Sequence, residues 1–159
     1  MPVSPDEFRS ALSRFASGVT VVTARDAAGR FFGITVSAFC SVSLEPPLVL
    51  ICLENATASR QAVETAGTFV VNVLDSSAAD ISERFASQLD DKFDDADFTL
   101  NIDGVPILTS SIAVLECRVR NTCDGGDHSI FIGEVEQLTF ADGDPLIYFR
   151  SDYRTIAAT

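Results

Sequence analysis

The sequence predicts a mostly β fold, an antiparallel barrel with three short helices, built as a single domain over residues 1–159. Strand-length apolar runs rich in β-branched residues recur along the chain, as in residues 19–23 and 69–74. Helical periodicity is confined to three short stretches. Parallel strands are usually connected by crossover helices, and few of the three helical stretches lie between strands in the way that such connections require. We therefore expect six or seven strands to pair antiparallel.

Each of the three helices has a local signal. Ser4, Pro5 and Glu7 form an S-x-x-E capping box with proline at the first helical position, and apolar residues follow at helical spacing. Thr57 predicts a second N-cap, for a helix that ends before Gly67 in the left-handed closing position. Residues 77–85 repeat the helical pattern.

The strands follow from runs of apolar residues and the turns between them. Residues 19–23 and 31–36 flank a turn and predict a β-hairpin. Residues 48–53 are continuously apolar, which predicts a central core strand. Further strands are expected at residues 69–74, 115–119, 128–140 and 146–149. Residues 89–101 are acidic and rich in turn residues, and they fit a long loop or a short helix equally well.

The charge and hydropathy of the chain exclude several classes of protein. The net charge is −12 and no cluster of Lys and Arg occurs, which argues against nucleic-acid binding. A phosphorylated ligand would therefore need backbone N–H groups, hydroxyls and a few placed cations. No apolar run approaches the roughly 20 residues of a membrane span, and the N-terminus lacks the pattern of a signal peptide. We expect a cytoplasmic protein that does not bind membranes.

Metal sites and common nucleotide motifs are not expected. The chain has one histidine and no C-x-x-C spacing, which leaves too few soft ligands for zinc. Cys40, Cys52 and Cys117 lie within apolar runs and are expected to be buried thiols. The sequence contains no G-x-G-x-x-G after a strand, no P-loop and no G-x-S-x-G elbow, so the folds that carry those motifs are excluded.

Residues 33–47 form a segment dense in hydroxyls that runs along a strand and into a loop. Thr35 and Ser37 would point to the same face of a strand, where their hydroxyls could surround a phosphate or the polar edge of a ring. A Ser/Thr-rich loop that caps its own backbone would also explain the segment. Taken alone, the composition favours this second interpretation.

A second segment places a histidine after glycines. Gly125 and Gly126 deliver Asp127 and His128 to the start of a strand, where the backbone could approach a ligand closely. A lone histidine is more often structural than functional, but the rim of a barrel is an exposed place for a packing residue. The residues themselves leave both roles open.

Together these segments resemble the flavin reductase family with the FMN-binding split-barrel fold, the small components of two-component flavin monooxygenases. The resemblance spans nearly the whole chain, through residues 15–23, 33–47, 69–74, 126–135 and 145–150. It implies a split β-barrel, FMN or FAD as flavin, and NADH or NADPH as hydride donor. It also implies a homodimer that passes reduced flavin to a partner monooxygenase.

The resemblance also implies site residues. Those expected to line the flavin are Thr35, Val36, Ser37, Ser41, Val42, Ser43, Asn55, Ser59 and Arg60. Gly126, Asp127 and His128 match the Gly-Asp-His motif that contacts the nicotinamide nucleotide. Lys92, Phe93 and the tail at 150–154, including Arg154, are expected near the flavin or the dimer partner.

Hydride transfer is chemistry that the cofactors carry themselves, so the protein is expected to position and orient them. His128 would act as a hydrogen-bond donor to the nicotinamide nucleotide, oriented by Asp127, and amides near residues 41–43 would polarise the flavin. Three alternatives remain open. They are a pyridoxamine-phosphate-oxidase-like or deazaflavin enzyme on the same fold, a non-enzymatic flavin-binding electron carrier, and a barrel that binds no cofactor.

Overall fold

A computed structural model describes residues 3–157; the predicted domain extends two residues further at each end, outside the described residues. Within this range there are three helices, Pro5–Leu12 (α1), Ala58–Ala66 (α2) and Ala79–Ala86 (α3). The same range holds twelve strands: Ser17–Gly18 (β1), Thr20–Arg25 (β2), Phe31–Val36 (β3), Phe39–Ser43 (β4), Leu48–Glu54 (β5), Thr68–Leu74 (β6), Phe98–Leu100 (β7), Pro106–Leu108 (β8), Ser111–Gly125 (β9), His128–Phe140 (β10), Ile147–Phe149 (β11) and Asp152–Arg154 (β12).

Seven strands form the main sheet, in the order β3-β2-β6-β9-β10-β5-β4, and every neighbouring pair is antiparallel. Two small sheets, β1-β11-β12 and β7-β8, complete the fold. The predicted antiparallel β fold with three helices is confirmed. The predicted count of six or seven strands is too low. The strand expected at 146–149 is present as β11, whereas β1, β4, β7, β8 and β12 were not predicted, because strands of two to five residues leave little sequence pattern. Hydrogen bonds do not close the main sheet, so β3 and β4 are its edges.

The helix boundaries follow the predicted caps. Glu7 N–H donates to the Ser4 hydroxyl at 3.2 Å and Ser4 N–H donates to the Glu7 carboxylate at 2.9 Å, which completes the capping box. Thr57 accepts from the N–H of Arg60, and Gly67 closes α2 with φ of 68°. None of the three described helices is long and apolar enough to cross a membrane.

The strand predicted to be central, residues 48–53, lies elsewhere. It forms β5, which is next to the edge strand β4, while β9 occupies the middle of the sheet. Val49, Ile51 and Leu53 are buried in the core, but the alternating residues between them are only half-buried. The predicted core strand is therefore confirmed, since β5 pairs on both sides and contributes three buried residues, but its position at the centre of the sheet is wrong. An apolar run reports hydrophobic surroundings, whereas the order of strands depends on pairing with distant parts of the chain.

The cysteines are less uniformly buried than expected. Cys117 is buried, and burial raises the pKa of its thiol to about 12. Cys52 is half-buried, and burial raises its pKa as well. Cys40 is exposed on β4, so the prediction of a buried thiol is wrong at this position. Side chains of a strand point to the two faces of the sheet, so the burial of Cys40 depends on which distant segments pack over its face, and the apolar run around it does not reveal this.

The segment left open between loop and helix, residues 89–101, contains no helix among its described residues. It consists of turns that lead into β7, which pairs with β8. Phe93 anchors it, because its ring contacts the rings of Phe31, Phe85 and Phe98 edge-on at centroid distances of 5.7, 5.0 and 5.5 Å. This aromatic cluster fixes the segment against β3 and α3.

A buried asparagine joins three strands. Asn72 on β6 is fully buried, and its side-chain amide donates to Val21 O at 3.0 Å and to the Thr23 hydroxyl at 3.2 Å. Its side-chain oxygen accepts the N–H of Leu108 at 2.9 Å. All the polar atoms of this side chain are therefore paired, and β2 and β8 are both fixed against β6.

The close packing of β10 on β6 makes a first prediction. A Cβ at Gly133 would lie 2.5 Å from Cζ of Phe69 and 3.0 Å from Cβ of Cys117, both buried. Overpacking of this kind costs about 1–3 kcal/mol, so Gly133→Ala should lower the free energy of unfolding by that amount in urea denaturation. Gly18→Ala, where a Cβ meets nothing within 4 Å, is the matched control and should change it by less than about 0.5 kcal/mol. Equal stability of the two variants would contradict the packing described.

Candidate functional site

A cavity of about 630 Å³ opens between β3, the start of α2 and the segment that follows α3. Its size lies in the range of small-molecule and cofactor sites. Aromatic rings, hydroxyls, one ammonium group and two carboxylates, those of Glu54 and Asp90, line it. The lining includes Phe31, Phe32, Phe93, Thr35, Thr57, Ser59, Glu54 and Lys92.

Helix α3 forms one wall of this cavity because β3 holds it closely. A Cβ at Gly33 would lie 2.4 Å from Cε1 of Phe85, so only glycine allows that ring to rest on the strand. The Thr35 hydroxyl donates to the carbonyl oxygen of Ser82 in α3 at 2.6 Å. Ser37 lies beyond the end of β3 and is exposed. The expected pair of hydroxyls on one strand face is therefore not formed, since Thr35 bonds to α3 and Ser37 has left the strand.

Lys92 closes the same wall. Its ammonium group donates to the carbonyl oxygens of Phe85 at 3.1 Å and Gly33 at 3.3 Å, near the C-terminal end of α3. A cation is favoured at that end of a helix. Burial lowers the pKa of Lys92. An ammonium has three N–H donors, so one remains for a ligand in the cavity that Lys92 lines.

The turn before β10 carries Asp127 and His128. Gly126 has φ of 83°, which favours glycine, and its N–H donates to the Asp124 carboxylate at 3.0 Å. Nδ1 of His128 lies 2.7 Å from Oδ1 of Asp127. The hydrogen bond from His128, together with its charge when protonated, holds the pKa of Asp127 below its usual range.

This contact decides what the imidazole can offer a ligand. An ionised carboxylate only accepts hydrogen bonds, so the proton in the contact belongs to Nδ1 of His128. In the neutral ring Nε2 is then an acceptor, and it becomes a donor only when the ring is protonated. The donor expected of His128 is therefore an acceptor at Nε2 in the neutral form of the ring.

A chain of hydrogen bonds joins this turn to α2. Asn55 donates its backbone N–H to Asp127 O at 2.9 Å and its side-chain amide to Gly126 O at 3.0 Å. Its side-chain oxygen accepts from the Ser129 hydroxyl at 2.7 Å, and that hydroxyl accepts from Nε of Arg60 at 3.2 Å. A second cavity of about 410 Å³ lies here. Its lining residues are Asn55, Arg60, Thr122, Cys123, Asp124 and Ser129.

The remaining predicted residues are placed apart from both cavities. Ser41, Val42 and Ser43 lie on the edge strand β4, at a register shift opposite β5. Val36 is buried in the core, and Arg154 is exposed and paired with Asp152 at 3.2 Å. The structure therefore brings Thr35, Ser59, Lys92 and Phe93 around the larger cavity, and Asn55 and Arg60 around the second.

Three residues that shape the site were not predicted from the sequence: Ser129, Glu64 and Ser82. Ser129 and Glu64 belong to the chain at Arg60, where Glu64 accepts two hydrogen bonds from the guanidinium at 2.6 and 3.0 Å. Behind Thr35, the hydroxyl of Ser82 accepts a hydrogen bond at 2.8 Å from Tyr153, which lies in the tail at 150–154 that was expected near the flavin or the dimer partner. The spacing of Arg60 and Glu64 on a helix is a readable signal for their pair. The others depend on contacts between distant segments.

Across residues 3–157, no group of three or more His, Cys, Asp or Glu side chains is placed to hold a metal ion. Residues 12–157 match the family described as Flavin reductase like domain. The chain belongs to this flavin reductase family. The match covers the two small sheets as well as the main sheet.

Individual relatives agree with the family match. The reductase subunit HsaB of a flavin-dependent monooxygenase from Mycobacterium tuberculosis is 40% identical over 158 residues, covering 97% of this chain and 83% of that protein. A relative from Rhizobium meliloti is 41% identical over 151 residues, covering 95% of this chain. The chain spans only 49% of the length of that second protein.

A solved structure confirms the fold. The NADH:FAD oxidoreductase SgcE6 of Streptomyces globisporus, determined with NAD and FAD fragments, is 34% identical and superposes with a TM-score of 0.94. The superposition covers 99% of this chain and 95% of that one. The predicted split-barrel class is therefore confirmed, although hydrogen bonds leave the main sheet open.

The Asp127 contact makes a second prediction. Because its pKa is lowered, the carboxylate stabilises the folded turn above its ordinary pKa of about 4, and this contribution is lost as the pH falls through the lowered value. In His128→Ala the pKa of Asp127 should rise towards that ordinary value. The change can be measured by titrating the carboxyl group and following its carbon NMR signal. Asp26, whose pKa is lowered by Arg30, is the internal control and should not change. An unchanged Asp127 would show that His128 does not set its pKa.

Proposed function

We propose that the protein is an NAD(P)H-dependent flavin reductase, which transfers hydride from NADH or NADPH to FMN or FAD. One observation carries this proposal. Glu54, which lines the larger cavity, lies directly opposite His128 in the pairing of β5 with β10. A cavity of cofactor size therefore adjoins the turn that matches the family's nicotinamide motif.

The lining of the larger cavity suits a phosphorylated aromatic group. Phe31, Phe32 and Phe93 offer ring surfaces, and the hydroxyl-bearing Thr57 and Ser59 lie at the start of α2. The first turn of a helix presents free N–H groups and a partial positive charge, which favour phosphate. Lys92 adds the single ammonium in this lining. This donor set supports a flavin in the cavity.

The chain's own residues position the reactants. When bound, the flavin supplies the hydride acceptor and the nicotinamide supplies the hydride. His128, held by Asp127, would orient the nicotinamide nucleotide through Nε2 and need not exchange a proton. Positioning of this kind can lower a barrier by several kcal/mol, up to about 7–11 in the best cases.

The reduced flavin would pass to a separate oxygenase. HsaB is the reductase subunit of a flavin-dependent monooxygenase, and this chain covers 83% of it. We propose the same division of labour here, with a partner monooxygenase receiving reduced flavin. The expected cytoplasmic location stays a prediction.

A homodimer is proposed on the family resemblance, and an exposed apolar surface supports it. Phe8, Leu12 and Phe15 are 60%, 52% and 76% exposed on and just after α1, a helix with no buried residue. Exposed apolar groups of this kind mark interaction surfaces. Sedimentation should give twice the chain mass of 17.0 kDa, and a monomer at micromolar concentration would contradict the proposal.

The activity can be tested with the purified chain. We expect FMN or FAD to bind, with a change in the visible flavin spectrum, and NADH or NADPH to be oxidised, followed at 340 nm, only when flavin is present. Flavin binding without turnover would contradict the reductase and support an electron carrier. If the chain neither binds flavin nor oxidises NADH or NADPH, the alternative of a barrel that binds no cofactor would be supported.

The role of His128 is tested in the same assay. Removing one hydrogen bond to a ligand weakens binding by about tenfold, so His128→Ala should raise KM for the nicotinamide substrate about tenfold while the flavin Kd stays unchanged. Thr139→Ala, an exposed change on the far end of β10, is the control and should leave both values as they are. Unchanged kinetics in His128→Ala would remove His128 from the nicotinamide site.

A further inference from the structure

Ser129 occupies an unusual place in β10. Its neighbours on the same strand face, Phe131 and Gly133, are buried in the core, and Ser129 itself is only 6% exposed. Its hydroxyl nevertheless makes two side-chain hydrogen bonds, since it donates to Asn55 at 2.7 Å and accepts from Arg60 at 3.2 Å. His128 precedes it, and because side chains alternate along a strand, the histidine points to the opposite face.

Two contacts hold the side chain of Asn55 in one orientation. The carbonyl oxygen of Gly126 only accepts, so the NH₂ group faces it at 3.0 Å, and the side-chain oxygen then faces Ser129 and accepts its hydroxyl proton at 2.7 Å. The backbone N–H of Asn55 binds the next carbonyl, that of Asp127, at 2.9 Å. Asn55 therefore holds two successive carbonyl groups of the turn that carries His128.

The other end of this series of hydrogen bonds is anchored on α2. The Arg60 guanidinium makes two hydrogen bonds to Glu64, one helical turn away, and this pairing leaves Nε directed at Ser129. Ser59, next to Arg60, is buried and lines the larger cavity. A continuous set of hydrogen bonds thus connects the helix at the proposed flavin cavity with the turn at the proposed nicotinamide contact.

We propose that Ser129 is a positioning residue. Acting through Asn55, it holds residues 126–128 where His128 meets the nicotinamide nucleotide, and it ties that turn to α2. This inference rests on the proposed function for its kinetic consequence. It also changes the expected role of Asn55, which the family resemblance places at the flavin, to that of a support for the turn.

The effect should be local. Gly126 and Asp127 are exposed, and in native proteins such turns open with far smaller free energies than the core. Without the Ser129 hydroxyl, the side-chain oxygen of Asn55 loses its hydrogen-bond donor, so Asn55 is held less firmly and the turn samples more positions. Binding that depends on the place of His128 should therefore weaken more than binding in the larger cavity.

The test compares four variants of the full chain. In Ser129→Ala, KM for NADH should rise about fivefold to tenfold, with kcat at saturating NADH within about twofold and flavin Kd unchanged. Asn55→Ala should show a similar rise. The double variant should be no worse than Asn55→Ala alone, because Ser129 acts through Asn55. Thr65→Ala, which removes a hydroxyl bonded only to Gln61 O on α2, is the control and should match the parent chain.

Hydrogen exchange gives a readout that needs no turnover. The Asn55 amide, bonded to Asp127 O, should exchange about tenfold faster in Ser129→Ala than in the parent or in Thr65→Ala. The proposal would be overturned if the effects of Ser129→Ala and Asn55→Ala on KM multiplied in the double variant. It would also be overturned if Ser129→Ala changed neither KM nor the exchange rate. A parent chain that oxidises neither NADH nor NADPH in the presence of flavin would overturn the proposed function instead, and the exchange rates would then still decide whether Ser129 holds the turn.

Discussion

The pairing of β5 with β10 is the constraint on which the candidate site depends. Its register sets Glu54 opposite His128 and Leu53 opposite Ser129. Asn55 directly follows β5, beyond the last pair of residues in this ladder. Its hydrogen bonds to the turn extend the pairing of the two strands by one more residue. A shift of one residue would exchange the two faces of β10, turning His128 inward and Ser129 outward.

The larger cavity depends in turn on how α3 lies against β3. Gly33 allows the ring of Phe85 to touch the strand, and the carbonyl groups of Phe85 and Gly33 are then close enough for one ammonium, that of Lys92, to bind both. Thr35 repeats this contact two residues further along β3, through Ser82. Alternate residues of one strand therefore hold the helix, and the segment after it, at the distance that leaves the cavity open.

Local features of this fold could be predicted from the sequence, and long-range ones could not. The cap at Ser4, the cap at Thr57 and the closing Gly67 were predictable because each is set by its neighbours in sequence. The His128–Phe140 strand was predictable in full from its pattern. The place of β5 in the sheet and the exposure of Cys40 were not, because both depend on which strands pair.

The candidate site likewise combines local features that were predictable from the sequence with long-range contacts that were not. The Gly126 turn was visible as a local motif, and the structure adds the contact between Asp127 and His128. Ser129 could not be found, since it reads as one small residue in an apolar strand, and its partners Asn55 and Arg60 are 74 and 69 residues away. Polar residues that support a site are hidden in a single sequence whenever their partners come from distant segments.

Charge explains why such support matters in this chain. With a net charge of −12, the overall field opposes phosphorylated ligands. Near the two cavities, Arg60 is already paired with Glu64 and Arg84 with Asp95, while Lys92 in the described structure binds backbone carbonyls. Neutral donors must then supply much of the attraction, and they act only at hydrogen-bond distance. A site that relies on fixed N–H and hydroxyl groups loses affinity with small displacements, so the contacts that hold its turns and helix ends matter as much as those that touch the ligand.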